Sequence, residues 1–151
     1  MRMNVMIATA VGLLAGTALA AADAAPTRDD AVAMVKKAVA LIKAEGNDKA
    51  YADMNKGGEF LHGEVYVVVV SPNGTTLVQP ANTKLISKNL MDVPDVDGKF
   101  FVKEMVEKAS AQQSFWMTYK FANPATKKIQ PKDMYCESVD KNAVCAGIYR
   151  P

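Results

Sequence analysis

Between residues 28 and 45, apolar side chains recur every three or four positions. Val32, Val35, Val39 and Ile42 make a stripe that Ala31, Met34, Ala38 and Leu41 widen, with Lys36, Lys37 and Lys43 outside it. That period predicts an amphipathic helix. Thr27-Arg28-Asp29-Asp30 predicts its start, a capping box with Thr27 as N-cap and Asp30 in place of the usual Glu. Gly46 stands where such a helix stops. Asp48 is then expected to cap a second short helix that runs through Met54 and ends at Gly57-Gly58.

The period changes at residue 65. Val65-Tyr66-Val67-Val68-Val69-Val70 has no polar alternation, so it predicts a strand covered on both faces. Ser71-Pro72-Asn73-Gly74 is a hairpin signal, with Thr75 to Gln79 as the returning strand. Residues 80–98 carry the breakers Pro80, Pro94 and Gly98 and read as irregular. From Phe100 to Ser110 a helical face returns through Phe101, Met105 and Val106. Three strands follow, at 114–122, 129–139 and 143–149, with turns at Asn123-Pro124 and Asp140-Lys141-Asn142. The predicted class is α+β, an antiparallel sheet of about five strands with a long N-terminal helix packed on it. The helices occupy residues 28–56 and the sheet region residues 63–150.

Composition narrows the functions. A chain of 151 residues with formal charge +2 is sized for one domain and lacks the basic excess of a nucleic-acid binder. The single histidine, His62, excludes a multi-histidine metal site and reads as a surface loop residue. Residues 1–20 read as a cleaved signal peptide: Arg2, an uncharged run from Val5 to Leu19, then Ala18-Leu19-Ala20. A retained span is the rival, but the run is short and rich in Ala and Gly. Residues 21–151 are therefore expected to be an exported, periplasmic domain with no stable membrane span.

In an oxidising compartment an even cysteine count favours a disulfide. With the last turn near residues 140 and 141, Cys136 faces Cys145 across the final hairpin. Opposed positions in such a pair are within bridging range. Asp95 and Asp97 before Gly98 form too short a match to a calcium loop, and capping of the following helix is the expected role. No metal or cofactor is implied. No nucleophile and base are paired in the pattern, so catalytic residues are not expected and the protein is not read as an enzyme.

From Tyr66 onward the motifs form an ordered set. Tyr66 leads the first strand and Asn73-Gly74 turns it. Gln79-Pro80, Ser87-Lys88-Asn89 and Asp95-Val96-Asp97-Gly98-Lys99 follow. Then come Trp116-Met117-Thr118-Tyr119 with Asn123-Pro124, Lys132-Asp133-Met134-Tyr135, and Gly147-Ile148-Tyr149. This set resembles the single Cache domain, a PAS-like extracytoplasmic ligand-binding module of bacterial receptors. Gln79 stands where the family pattern has His. Ser87 stands for the Gly of Gly-Lys-Asn, and Phe115 for the Gly before the Trp.

The resemblance implies a sensory module for a small organic acid, acting through a partner such as a membrane receptor or another periplasmic protein. The chain would be a stand-alone form of a domain usually found in receptors. Gln79, Lys88, Trp116, Tyr119, Lys132 and Tyr135 are the candidate ligand residues: cations and an amide to hold a carboxylate, rings for the walls. The alternative is an interaction or structural protein of the same fold without a ligand. Strand alternation puts Trp116, Thr118 and Lys120 on one face and Phe115, Met117, Tyr119 and Phe121 on the other. The greater apolarity of the Phe115 set suits the N-terminal helix, yet the motif holds both Trp116 and Tyr119. The pattern leaves the faces unassigned.

Overall fold

The computed structural model describes residues 24–151. The signal peptide read at residues 1–20 lies outside the described residues.

Helix α1 (Arg28–Glu45) starts where the capping box predicts. The Thr27 side chain accepts from the Asp30 N–H, and the Asp30 carboxylate accepts from the Thr27 N–H at 2.7 Å. It buries Ala31, Met34, Val35, Ala38, Val39 and Ile42 and stops at Gly46, φ 81°. Helix α2 (Asn47–Asn55) follows at once. Its N-cap is Gly46, so Asp48 sits inside the first turn and is not the cap.

The strands are β1 (Leu61–His62), β2 (Val65–Val70), β3 (Thr76–Val78), β4 (Ser114–Ala122), β5 (Ile129–Val139) and β6 (Asn142–Tyr149). All pairings are antiparallel. The main order is β1-β2-β6-β5-β4, and β3 pairs with β2 beyond β1. The sheet thus has six strands. The added one, β1, is the two-residue stretch that reads in sequence as the His62 turn. Every residue of β2 is buried, because the sheet is covered on both sides. Val65, Val67 and Val69 meet α1, while Tyr66, Val68 and Val70 meet helix α3 (Phe101–Ala111).

The stretch expected to be irregular is partly docked onto β3. The Thr76 N–H donates to the Lys88 carbonyl at 2.9 Å, and the Ser87 N–H donates to the Thr76 carbonyl at 2.8 Å. Thr75 bridges Asn89. To make this return Ser87 adopts φ 68°, a region that costs an L-residue about 1–2 kcal/mol. Ser87→Gly is therefore expected to raise stability by about 0.5–1 kcal/mol, the relief less the added freedom of the unfolded chain, measured by urea denaturation.

Cys136 and Cys145 are directly opposed on β5 and β6 and are joined by a disulfide. Asp140 and Lys141 make the two-residue turn between these strands, both at positive φ. The double variant Cys136→Ala/Cys145→Ala is expected to lose about 2–3 kcal/mol in the same assay.

Candidate functional site

The face of the sheet away from α1 carries a row of side chains set by strand register. Tyr119 on β4 is paired with Lys132 on β5, and Lys132 with Tyr149 on β6. In the next row Gly147 is paired with Met134. Gly147 leaves a gap there. A Cβ on it would stand 3.0 Å from Lys132 Cε, 3.0 Å from Met134 Sδ and 2.6 Å from the Asp133 carbonyl oxygen. Through this gap the Lys132 side chain lies along the sheet toward β2. Its ammonium sits 3.9 Å from the centre of the Tyr66 ring and 5.0 Å from that of Tyr149.

Lys132 is wholly buried, and its Nζ has no hydrogen-bond acceptor among the described residues. Ring faces compensate a desolvated ammonium by about 2 kcal/mol. Taking the ion out of water costs several kcal/mol, more than the rings return. The site therefore has unused capacity for an anion. Tyr149 donates to the Ala122 carbonyl at 2.9 Å, so its one proton is committed. Tyr66, 2.8 Å from the Tyr149 hydroxyl, must then be the donor of that pair.

Tyr119 stacks on Phe101 of α3, ring centres 4.4 Å apart. Burial, followed by the neighbouring Tyr66, holds its hydroxyl well above the ordinary tyrosine value. Burial does the same for Tyr149. Both phenols remain neutral donors at physiological pH.

Beside this row lies a small cavity of about 20 Å³ between the sheet, α3 and the loop of residues 80–100. Tyr119, Gln79, Leu85, Leu90, Phe101 and Met105 are among its walls. It has room for about one water molecule. Gln79 is 4% exposed, and its Oε1 has no partner among the described residues. Two buried polar atoms, Gln79 Oε1 and Lys132 Nζ, are thus unpaired on one side of the sheet. A larger open depression of about 810 Å³ lies between the start of α1 and residues 59–65. Most of its charged groups are already engaged, Asp30 with Thr27, Lys37 with Glu59 and Glu64 with Asn123, while His62 also lines it.

The six candidate residues fall into three places. Gln79, Tyr119 and Lys132 gather on the α3 side. Trp116 and Tyr135 are a cross-strand pair on the other face, ring centres 5.2 Å apart. There the Arg28 guanidinium covers Trp116 at 3.7 Å, and the Tyr135 hydroxyl donates to Glu137 at 3.0 Å. Lys88 is exposed and joins the structure through its backbone. The Phe115 set packs with α3, against its apolar fit to the N-terminal helix. The reason is placement: α1 lies mainly over β6 and β5, leaving β4 chiefly to α3. Tyr66, Tyr149 and Gly147 belong to the site but were not among the sequence candidates. The parity of Lys132, Met134 and Cys136 was the available signal, since it puts the lysine on the face of the disulfide.

The loop entering α3 is fixed to the outer edge of β4 by Asp95. Its carboxylate accepts from the backbone N–H groups of Lys120 (2.9 Å), Lys99 (2.9 Å) and Asp97 (3.0 Å). Lys99 Nζ adds a bond to the Thr118 carbonyl at 2.6 Å. Asp95 therefore holds the loop rather than capping α3, whose N-cap is Phe100 with no side-chain bond. The Lys120 N–H, first among these, lowers the Asp95 pKa below its ordinary 3.8. A depressed carboxylate stabilises the fold fully above its unfolded value and loses that contribution as pH falls through the folded one. The melting-temperature gap between the native chain and Asp95→Asn is expected to be full at pH 6 and to shrink below about pH 4.

A family model described as Single Cache domain 2 matches residues 1–144. Among solved structures, a methyl-accepting chemotaxis protein from Vibrio parahaemolyticus is similar with a TM-score of 0.70 at 18% identity, covering 80% of this chain and 86% of that one. A Cache chemosensory domain, solved for the structural basis of its carboxylic acid recognition, gives 0.64 at 17%, with 82% and 88% covered. A periplasmic sensor domain of a chemotaxis protein gives 0.63 at 19%, with 82% and 90% covered. No curated protein matches the chain. No helix among the described residues is long and apolar enough to cross a membrane.

Proposed function

This chain belongs to the single Cache domain 2 family, and on that premise we propose that it is an exported, periplasmic sensory module that binds a small organic acid and signals through a partner protein. The observation that carries this reading is the buried Lys132 ammonium, which has no acceptor among the described residues. A carboxylate placed against it would supply the missing charge and hydrogen bonds. Tyr119, kept protonated by burial, is a second donor one strand away. The recognition of carboxylic acids by a structural relative supports the ligand class. The signal-like leader and the disulfide support export. The protein acts by binding rather than by turnover.

The small volume of the cavity constrains how binding proceeds. A space for one water does not admit an acid. Entry requires the loop of residues 80–100 and α3 to move away from the sheet. The acid then stabilises the displaced arrangement, and the partner reads it.

Thermal denaturation against a panel of short carboxylates tests the reading, with a saturable rise in melting temperature as the expected result. That small volume also favours a second reading, a filled domain that serves only as an interaction surface. A panel in which no acid raises the melting temperature decides for that one.

A further inference from the structure

The orphaned oxygen of Gln79 specifies the second end of the ligand. This inference rests on the carboxylate reading and narrows it. Gln79 is 4% exposed and lines the cavity, and its Oε1 accepts from nothing among the described residues. Its backbone is pinned: the N–H donates to Asn55 Oδ1 at 2.9 Å, and the carbonyl accepts from Asn82. The side chain therefore hangs from a fixed point, between β3 and the loop. A buried acceptor left unmet is costly, so a bound molecule that brings a donor there gains what a purely aliphatic one does not.

The charges limit which donor. Among the described residues Lys132 is the one buried cation on this face, which matches one carboxylate. The cavity walls contain no acidic side chain. An ammonium group on the ligand would be desolvated without a counter-charge. A hydroxyl brings a donor and no charge.

We propose that the ligand is a short hydroxy monocarboxylic acid, with its carboxylate on Lys132 and its hydroxyl donating to Gln79 Oε1. Gln79 is then a specificity residue: it separates hydroxy acids from their plain counterparts, while Lys132 holds either.

Calorimetric titration of the whole chain with matched pairs, glycolate against acetate and lactate against propionate, tests this directly. The hydroxy member of each pair is expected to bind about tenfold tighter or more. In Gln79→Leu, or in Gln79→Met should the leucine variant fold poorly, the preference should vanish while the plain acid still binds. Equal affinities within both pairs in the native chain would overturn the inference and leave the carboxylate reading intact. A preference that survives both substitutions would overturn the role of Gln79. If no acid of either kind binds, the carboxylate reading falls, and this inference with it.

Discussion

Lys132→Met is expected to weaken acid binding severely while leaving the folded protein as stable as before, or more so. The two effects separate because the buried ammonium is uncompensated in the ligand-free state. Methionine fills a similar volume and has no charge to desolvate, and such replacements of buried ions are often neutral or stabilising. Binding responds in the opposite sense. A carboxylate that enters without its cation is itself a buried unpaired charge, which weakens affinity on the order of a hundredfold or more. Paired calorimetry and denaturant curves on the native chain and the variant check both. A lysine that merely packs on Tyr66 and Tyr149 predicts another outcome: reduced stability, with acid affinity unchanged.

Gly147→Ala carries the largest expected loss of stability. Its added carbon would stand 2.6 Å from the Asp133 carbonyl oxygen. That oxygen belongs to β5, in the middle of the sheet between β4 and β6, so it cannot turn aside as a side-chain tip would. The Lys132 chain, 3.0 Å away, is displaced as well. Overpacking of this kind costs about 1–3 kcal/mol and occasionally more; a backbone neighbour places this case at the upper end. Guanidinium denaturation is expected to show a lower midpoint with an unchanged slope. The same substitution should weaken acid binding, because the lysine loses its channel toward Tyr66. A variant as stable as the native chain would mean that the gap above Gly147 does not matter.

Much of the fold was legible because its boundaries are marked chemically. Asn123-Pro124 and the polar turn at Asp140-Lys141 bracket β5, which runs from 129 to 139 as the pattern predicts. Thr27 and Asp30 announce α1, and an even cysteine count across a tight hairpin announces the disulfide. The site was legible in part. Gln79, Tyr119 and Lys132 could be named as candidates, but Trp116 and Tyr135 belong to the opposite layer. Alternation says that two residues differ in face; it does not say which layer covers which face. That depends on where α1 crosses the sheet, a property of the whole domain. Gly147 was readable only as part of a motif, since its role is the space above it. The unpaired states of Lys132 and Gln79 follow from burial and from the absence of neighbours, which no local pattern records.

The central claim is that the Lys132 ammonium receives the ligand's carboxylate. Nitrogen-detected NMR of the lysine side chains during titration with short acids tests it most directly. The account predicts one Nζ resonance that shifts saturably with the acid, in step with the rise in melting temperature, and is missing from the spectrum of Lys132→Met. An acid that binds and saturates while that resonance stays where it was would contradict it.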